Sequence, residues 1–179
     1  MSRGSVREDD QVAHRRSAPA MARGAPFIPP RAPLPPGVVN HVTPRGLRLL
    51  QEERAALENE RSLPYESDYA RRRALAEIDG KLELLNERLG SARVVEPPDP
   101  APDDVRFGAS VTFGFLSGPQ KGQDHTFILV GVDEASVRDG RIAFTSPIAR
   151  ALLGKRAGEK AAIVLGEAPQ ELEVLAVAY

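Results

Sequence analysis

The strongest constraint on this chain is a pair of leucine stripes on either side of a short, proline-containing break. In the second stripe the apolar positions are Leu75, Ile78, Leu82, Leu85, Leu89 and Ala92, at intervals of three and four residues. The first stripe contains Leu47, Leu50 and Leu57. This spacing places apolar side chains on one face of an α-helix, and neither helix could bury that face alone. The two stripes therefore predict an antiparallel helical hairpin.

Local signals mark the ends of the first predicted helix. Thr43 followed by Pro44 provides an N-cap hydroxyl and a proline at the first helical position, a preferred helix start. Pro64 disfavours helical backbone at the residue before it and ends the helix. We expect residues 43–61 to pair with residues 75–92, in arms of about 18 residues or roughly 27 Å. The predicted hairpin is therefore short.

A different pattern, typical of β-strands, follows a second proline-rich stretch. β-branched and aromatic residues, partly alternating with polar ones, occupy the segments 109–116, 125–132, 142–144, 160–165 and 170–177. Ser146 and Pro147 repeat the preferred helix start, and Gly154 marks the end of that short helix. We expect an α+β fold class, in which a small antiparallel sheet is covered by one helix.

The composition varies along the chain and predicts four regions. Residues 17–37 contain seven prolines, and residues 1–40 carry six arginines against three acidic residues. Such a segment buries too little apolar surface to offset its chain entropy. We expect a disordered basic tail at residues 1–40, a hairpin at residues 41–95, an acidic linker at residues 96–104 and a separate domain at residues 105–179. With no repeated motif, the tail is interpreted as a linker in preference to a polyproline ligand.

Composition and motifs exclude several functional classes. The 179 residues include no Cys, which excludes disulfide frameworks, thiol catalysis and Cys-ligated zinc. The histidines, His14, His41 and His125, lack the spacing of a metal site. A net charge of −1 argues against a free-standing nucleic-acid binder. No apolar run is long enough to span a bilayer and the first residues lack the apolar run of a signal peptide, so we expect a cytoplasmic protein without membrane contact.

The glycine-rich segment 114–122 does not predict a nucleotide-binding site. It lacks the Gly-Lys-Ser/Thr ending that a phosphate-binding loop requires, and we interpret it as a hairpin turn. No Gly-x-Ser-x-Gly motif is present either. We therefore expect no enzyme activity that belongs to this chain alone, and no cofactor or metal of its own.

Several motifs carry a resemblance to a known family. Residues 105–112 read Val-Arg-Phe-Gly-Ala-Ser-Val-Thr, residues 128–135 read Ile-Leu-Val-Gly-Val-Asp-Glu-Ala, and residues 146–155 read Ser-Pro-Ile-Ala-Arg-Ala-Leu-Leu-Gly-Lys. In order and spacing they resemble the C-terminal domain of the bacterial transcript-cleavage factors GreA and GreB. Residues 42–46 and 77–95 resemble the two helices of that family's hairpin. The resemblance implies an FK506-binding-protein-like (FKBP-like) domain and a coiled-coil hairpin that enters the secondary channel of RNA polymerase.

The predicted hairpin tip departs from the family pattern. In the family, two carboxylates of the tip loop help to hold the second magnesium ion of the polymerase active site. Here residues 61–69 read Arg-Ser-Leu-Pro-Tyr-Glu-Ser-Asp-Tyr, which puts Ser62 and Tyr65 at the positions of those acids. A neutral hydroxyl cannot replace a carboxylate as a magnesium ligand. Glu66 and Asp68 remain candidate tip acids if the turn is re-registered; otherwise they favour a helix N-terminus.

Two further groups are candidate interaction residues. Arg71, Arg72 and Arg73 form a basic tip patch in the stretch 62–73, where we expect the turn and a solvated helical extension. This patch is either a solvated helix face or a contact for acidic channel walls or nascent RNA. The docking candidates are Thr145, Ser146 and Pro147. In the family the matching Ser-Pro pair touches the polymerase, although Thr145 departs from the residue that usually precedes it.

The resemblance implies a monomeric regulator of transcription elongation whose partner is core RNA polymerase. Its contact with nascent RNA or DNA would be indirect, and we expect weak stimulation of transcript cleavage or none. One alternative is an authentic cleavage factor that uses Glu66 and Asp68 with polymerase-bound Mg²⁺. Another is a regulator that binds a different enzyme. A prolyl isomerase would need an aromatic-lined pocket, whereas the aromatic residues available to it, Phe107, Phe113, Phe115, Phe127, Phe144 and Tyr179, are mostly placed as strand core.

Overall fold

The structure is a computed structural model that describes residues 26–166 and 168–179, so the tail prediction for residues 1–25 lies outside the described residues. The elements, in chain order, are β1 (His41–Val42), α1 (Pro44–Arg61), α2 (Asp68–Ser91), β2 (Arg93–Val94), β3 (Ser110–Phe115), β4 (Asp124–Val130), β5 (Arg141–Ala143), α3 (Pro147–Leu152), β6 (Lys160–Leu165) and β7 (Ala168–Ala178). A 3-10 turn at Val137–Asp139 precedes β5.

Helices α1 and α2 lie side by side and run in opposite directions. Thr43 caps α1, because its Oγ accepts a hydrogen bond of 2.9 Å from the backbone N–H of Gly46. The residues buried between the two helices are Leu50, Leu57, Ile78 and Leu85. Each such side chain stabilises the packed hairpin by about 1.5–3 kcal/mol. The turn covers residues 62–67, and the predicted solvated extension is the beginning of α2.

The second group of elements is a five-stranded sheet in the order β5-β4-β3-β7-β6. The pairs β4–β3, β3–β7 and β7–β6 are antiparallel, but β4 and β5 run parallel. The prediction of an antiparallel sheet is therefore wrong for this pair. The chain leaves β4, crosses over through residues 131–140 with their 3-10 turn, and enters β5 in the same direction. The parallel two-residue pair of β1 and β2 was also not predicted.

Helix α3 covers one face of this sheet and completes a separate apolar core. Its buried residues Ala149 and Leu152 join the inward-facing side chains of the strands. The largest fully buried members are Phe113, Leu129, Leu152, Leu172, Val105, Val111 and Val174. The described residues thus hold two apolar cores, one within the hairpin and one beneath the sheet, as expected for mixed helix and sheet content.

The segment 26–40 is not the detached tail that its composition predicts. Ile28 lies over α2 at Gly80, and the Arg31 side chain reaches Asp133 beyond β4. Asn40 is buried and donates a hydrogen bond of 3.0 Å to the carbonyl of Arg88. Composition shows that these residues cannot form a core of their own, but it says nothing of docking onto a surface that other residues provide.

None of the helices in residues 26–166 and 168–179 is both long and apolar enough to cross a membrane.

Candidate functional site

The turn between α1 and α2 is closed by the two side chains that stand where the resemblance would put carboxylates. Ser62 caps the C-terminus of α1, and its hydroxyl donates to the carbonyl oxygen of Glu58 at 3.2 Å. The phenolic hydroxyl of Tyr65 donates to the carbonyl of Glu60, also at 3.2 Å. Ser62 thus adds a partner for a carbonyl of the last helical turn, and Tyr65 adds a second hydrogen bond to the Glu60 carbonyl, which also accepts from the backbone N–H of Leu63 at 3.1 Å. Their role in the turn is to fix the backbone.

The two candidate tip acids, Glu66 in the turn and Asp68 at the start of α2, are both exposed on the surface. Ser67 caps α2 through a hydrogen bond of 3.1 Å from the backbone N–H of Ala70. Asp68 is in the first turn of α2, where its negative charge interacts favourably with the helix dipole. Glu66 precedes the cap. Within the described residues neither carboxylate belongs to a cluster of three or more potential metal-ligating side chains. Any metal held here would need most of its ligands from a partner.

A basic and partly apolar surface adjoins this turn. Arg71, Arg72 and Arg73 are all exposed on the first turns of α2. Leu63 and Tyr69 are exposed beside them. The structure therefore brings the predicted basic tip patch and both candidate acids to one end of the hairpin.

Two exposed ion pairs lie behind the turn, one within α2 and one between α1 and α2. Lys81 donates to Glu77 at 2.5 Å, which lowers the pKa of that carboxyl, and the charge of Arg73 lowers it further. Arg61 and Asp79 form a second exposed pair at 2.9 Å. Such pairs contribute little to stability because water screens them. Each pair joins one basic and one acidic side chain, so the pairs add no net charge behind the tip.

The docking candidates lie at the start of α3. The Ser146 hydroxyl caps this helix by accepting a 3.2 Å hydrogen bond from the backbone N–H of Ala149. Pro147 occupies the first helical position and is exposed, while Thr145 is half-buried. An open cleft of about 490 Å³ beside them is lined by Pro147, Arg150, Ala151, Ala162, Ile163 and Val164. Val164 is 66% exposed, so the cleft has an apolar rim on the edge strand β6.

A joint of polar contacts fixes the base of the hairpin to the sheet domain. The Glu134 side chain is buried and lies 2.9 Å from Nη1 of Arg45 and 3.5 Å from Nη1 of Arg141. Thr43 also donates a hydrogen bond to Glu134. A Cβ at Gly46 would come within 2.8 Å of Glu134 Oε2, so a side chain at this position would displace the carboxylate from its present place. The sequence analysis did not predict this joint. A sequence signal for it is the pair of acidic residues, Asp133 and Glu134, that follows apolar residues in the motif at residues 128–135.

An aromatic cluster forms the apolar half of the same joint. The His41 ring lies 5.6 Å from Phe107 and 5.7 Å from Phe144, and the two phenylalanines are 5.4 Å apart. His125 stacks on Phe127 elsewhere in the sheet, at 6.1 Å and 4° between planes. His41 and His125 lie in different parts of the fold. The third histidine, His14, lies outside the described residues.

The family comparison covers the sheet domain. Residues 99–179 match the family model described as transcription elongation factor, GreA/GreB, C-terminal. The match begins at residue 99, inside the stretch 96–104 that was expected to be a linker. Asp104 in that stretch pairs with Arg156 of the sheet domain in an isolated β-bridge.

Relatives extend the similarity to the hairpin. The transcription elongation factor GreB of Neisseria meningitidis serogroup A is 34% identical over 158 residues, which is 78% of this chain and 94% of that protein. GreA of Hyphomonas neptunium is 37% identical over 102 residues, or 57% of this chain. That match spans 63% of the relative's length, slightly less than two thirds.

Solved structures show weaker similarity. A GreA/GreB transcription elongation factor from Nitrosomonas europaea is 18% identical, with a TM-score of 0.38 over 78% of this chain and 98% of that one. The Gfh1 protein of Thermus thermophilus, a GreA factor homologue, is 20% identical, with a TM-score of 0.36 over 78% of this chain and 98% of that one.

Proposed function

The chain belongs to the GreA/GreB family of transcription elongation factors, and we propose that it regulates elongation by binding RNA polymerase at the secondary channel. In this proposal the sheet domain docks on the polymerase and the hairpin presents its tip to the channel. The chain acts as a binding protein and has no catalytic centre of its own. Its stimulation of transcript cleavage is weak or absent.

Membership of the GreA/GreB family supports the polymerase-binding part of this proposal, and the chemistry of the turn supports the weak or absent stimulation of cleavage. Ser62 and Tyr65 are neutral, and their hydroxyls are engaged with the carbonyls of Glu58 and Glu60. Magnesium prefers anionic oxygen ligands in near-octahedral geometry. Neither residue therefore fits the role of a tip carboxylate that would hold a polymerase-bound Mg²⁺.

The geometry of the hairpin supports the same conclusion. Helix α1 has 18 residues, which corresponds to roughly 27 Å of reach at 1.5 Å per residue. Glu66 lies before the cap of α2, whereas Asp68 is fixed at the start of that helix. Catalytic positioning tolerates errors of only about 1 Å before the rate falls steeply. The two acids would need a re-registered turn to reach a metal that the family holds with different positions.

We assign docking to the α3 end of the sheet domain, which we take to be FKBP-like. Pro147 is exposed there beside Arg150 and the apolar rim at Val164. A partner helix with apolar and acidic side chains would complement this surface. The contact of the hairpin tip is electrostatic in this proposal, because Arg71, Arg72 and Arg73 would face acidic channel walls or nascent RNA. This contact should weaken as the salt concentration increases.

Competition for the polymerase tests the proposal. A fluorescent long-hairpin GreA or GreB is bound to core RNA polymerase and displaced by the full chain. The expected result is complete displacement with a midpoint that rises with salt. Failure to bind core polymerase at any salt concentration would overturn the proposal and favour a regulator of a different enzyme.

A further inference from the structure

The segment of residues 28–34, here called the strap, crosses the hairpin and ends its contacts on the sheet domain. Its first anchor is Ile28, which lies on α2 at Gly80, where no side chain blocks its approach. A Cβ at Gly80 would come within 1.9 Å of Ile28 Cδ1 and 3.2 Å of Ile28 Cγ1. A glycine inside a helix costs about 1 kcal/mol relative to alanine, and at position 80 it leaves the space that the end of the Ile28 side chain occupies.

The second anchor is Arg31, which joins three parts of the fold. Its guanidinium forms two hydrogen bonds to Glu53 of α1, at 2.8 and 3.0 Å. Its Nε also donates to Oδ1 of Asp133, at 3.0 Å, in the loop after β4. The pKa of Arg31 is raised, chiefly by the hydrogen bond to Glu53. One side chain from the strap therefore bridges the hairpin and the sheet domain.

Arg88 of α2 strengthens the connection from the other side. Its Nη2 donates to the carbonyl of Ala32 at 2.6 Å, and its Nη1 lies 3.2 Å from Oδ2 of Asp133. The latter contact is ionic without hydrogen-bond geometry, and both side chains are nearly buried. Asp133 thus receives one arginine from the strap and one from the hairpin.

Between and around these anchors the strap is loosely packed. Open clefts of about 560 and 410 Å³ flank it, both lined by Pro30, Arg31, Ala32 and Leu84. A segment held by continuous packing would leave no such space. Its attachment therefore depends on a few discrete contacts, those of Ile28 and Arg31 and the hydrogen bond from Arg88 to the Ala32 carbonyl.

The joint at Glu134 fixes the base of the hairpin, and from the strap contacts we propose that Arg31 is a positioning residue, which with Ile28 adds a second attachment farther along the hairpin and so holds it in one orientation relative to the sheet domain. The consequence for transcription rests on the proposed function, because a fixed orientation sets where the tip lies when the sheet domain is docked. The orientation itself is a property of the free protein. If the chain failed to bind polymerase, the proposed function would fail, but the orientation of the hairpin could still be tested in the free protein.

Distances between spin labels in the full chain provide that test. The absence of native Cys allows clean labelling at introduced cysteines. One pair, at Phe27 and Glu83, measures strap attachment, and a second pair, at Arg72 and Ala176, measures the orientation of the hairpin; all four positions are exposed. With the native anchors, both pairs should give a single narrow distance.

The test variants are Arg31→Ala and Gly80→Leu, with Gly90→Leu as the matched control. Leucine is a strong helix former, and a Cβ at Gly90 meets nothing within 4 Å. Both test variants should lose the narrow distance at both pairs, whereas Gly90→Leu should retain it.

A broad Arg72–Ala176 distribution with native anchors would overturn the proposal. The proposal would also be overturned if the strap is released in folded Arg31→Ala or Gly80→Leu while the Arg72–Ala176 distance stays narrow. A folded Arg31→Ala variant that keeps both narrow distances would overturn it as well. Circular dichroism confirms that each variant is folded.

Discussion

Gly131 lies directly against the backbone of His41, such that a Cβ atom at position 131 would come 2.7 Å from the His41 carbonyl oxygen. This contact joins the end of β4 to the strand that leads into the hairpin. Because the obstructing atom belongs to the backbone, it cannot move aside by a change of rotamer. The hairpin base and the sheet domain are therefore fitted to each other at this glycine.

Gly131→Ala should consequently separate the two parts and destabilise the protein by about 1–3 kcal/mol, the usual cost of overpacking a tight contact. Chemical denaturation with urea measures the effect. Gly90→Ala is the control, and should raise stability by about 0.5–1 kcal/mol because it only improves helix propensity. Equal stability of Gly131→Ala and the parent protein would show that the joint is looser than the structure has it.

The buried carboxylate of Glu134 should be the main polar support of the same joint. Glu134→Gln keeps the volume of the side chain but removes the charge that Arg45 and Arg141 approach. We expect a loss of about 1–3 kcal/mol in the free energy of unfolding. Asp79→Asn, which disrupts an exposed pair with Arg61, should cost no more than about 0.5 kcal/mol. Similar losses for the two variants would contradict this ranking.

Local sequence signals predict much of what the structure contains. The Thr43-Pro44 and Ser146-Pro147 pairs indicate helix starts, and the structure places both hydroxyls as N-caps. These signals work because capping depends only on residues a few positions apart. The GreA/GreB resemblance, based on three short motifs, is confirmed by the family comparison.

The features that were missed depend on residues distant in sequence. The parallel pairing of β5 follows from the path of residues 131–140, which no periodicity encodes. Arg31 and Asp133 are 102 positions apart, so their contact has no local signature. The one available signal for the docked segment was Gly80, a glycine at an internal position of an otherwise favourable helix.

The phenol of Tyr179 should lose its proton at a higher pH than an ordinary tyrosine. Its hydroxyl accepts a hydrogen bond from the backbone N–H of Arg106 at 2.9 Å and donates one to the Asp104 carbonyl at 2.7 Å. Burial raises the pKa of Tyr179 above its ordinary value of 10.0. The folded state therefore binds this proton more tightly than the unfolded state. Its stabilising contribution is complete below about pH 10 and is lost as the pH rises through the folded-state pKa.

Ultraviolet titration of the phenolate band measures this shift. The parent protein should show a late component above pH 10 that Tyr179→Phe removes. Tyr69→Phe, at an exposed position, is the control and should leave that component in place. A late component that persists in Tyr179→Phe would contradict the assignment.

The docking surface is tested by Pro147→Ala. Alanine is compatible with the first position of α3, so the fold should be retained while the exposed ring is lost. We expect weaker binding to core RNA polymerase with little change in thermal stability. Val137→Ala, at an exposed position in the 3-10 turn, should bind as the parent does. Unchanged affinity of a folded Pro147→Ala would remove this residue from the docking surface.

Release of a 3′ RNA fragment from backtracked elongation complexes tests the central claim most directly. The full chain and a long-hairpin GreB are compared at saturating polymerase occupancy, together with the double variant Glu66→Gln and Asp68→Asn. With neutral side chains at Ser62 and Tyr65, the chain should add little or nothing to the intrinsic cleavage rate, and the double variant should match it. Robust cleavage that the double variant abolishes while still binding polymerase would contradict the account and identify a genuine cleavage factor with a re-registered tip.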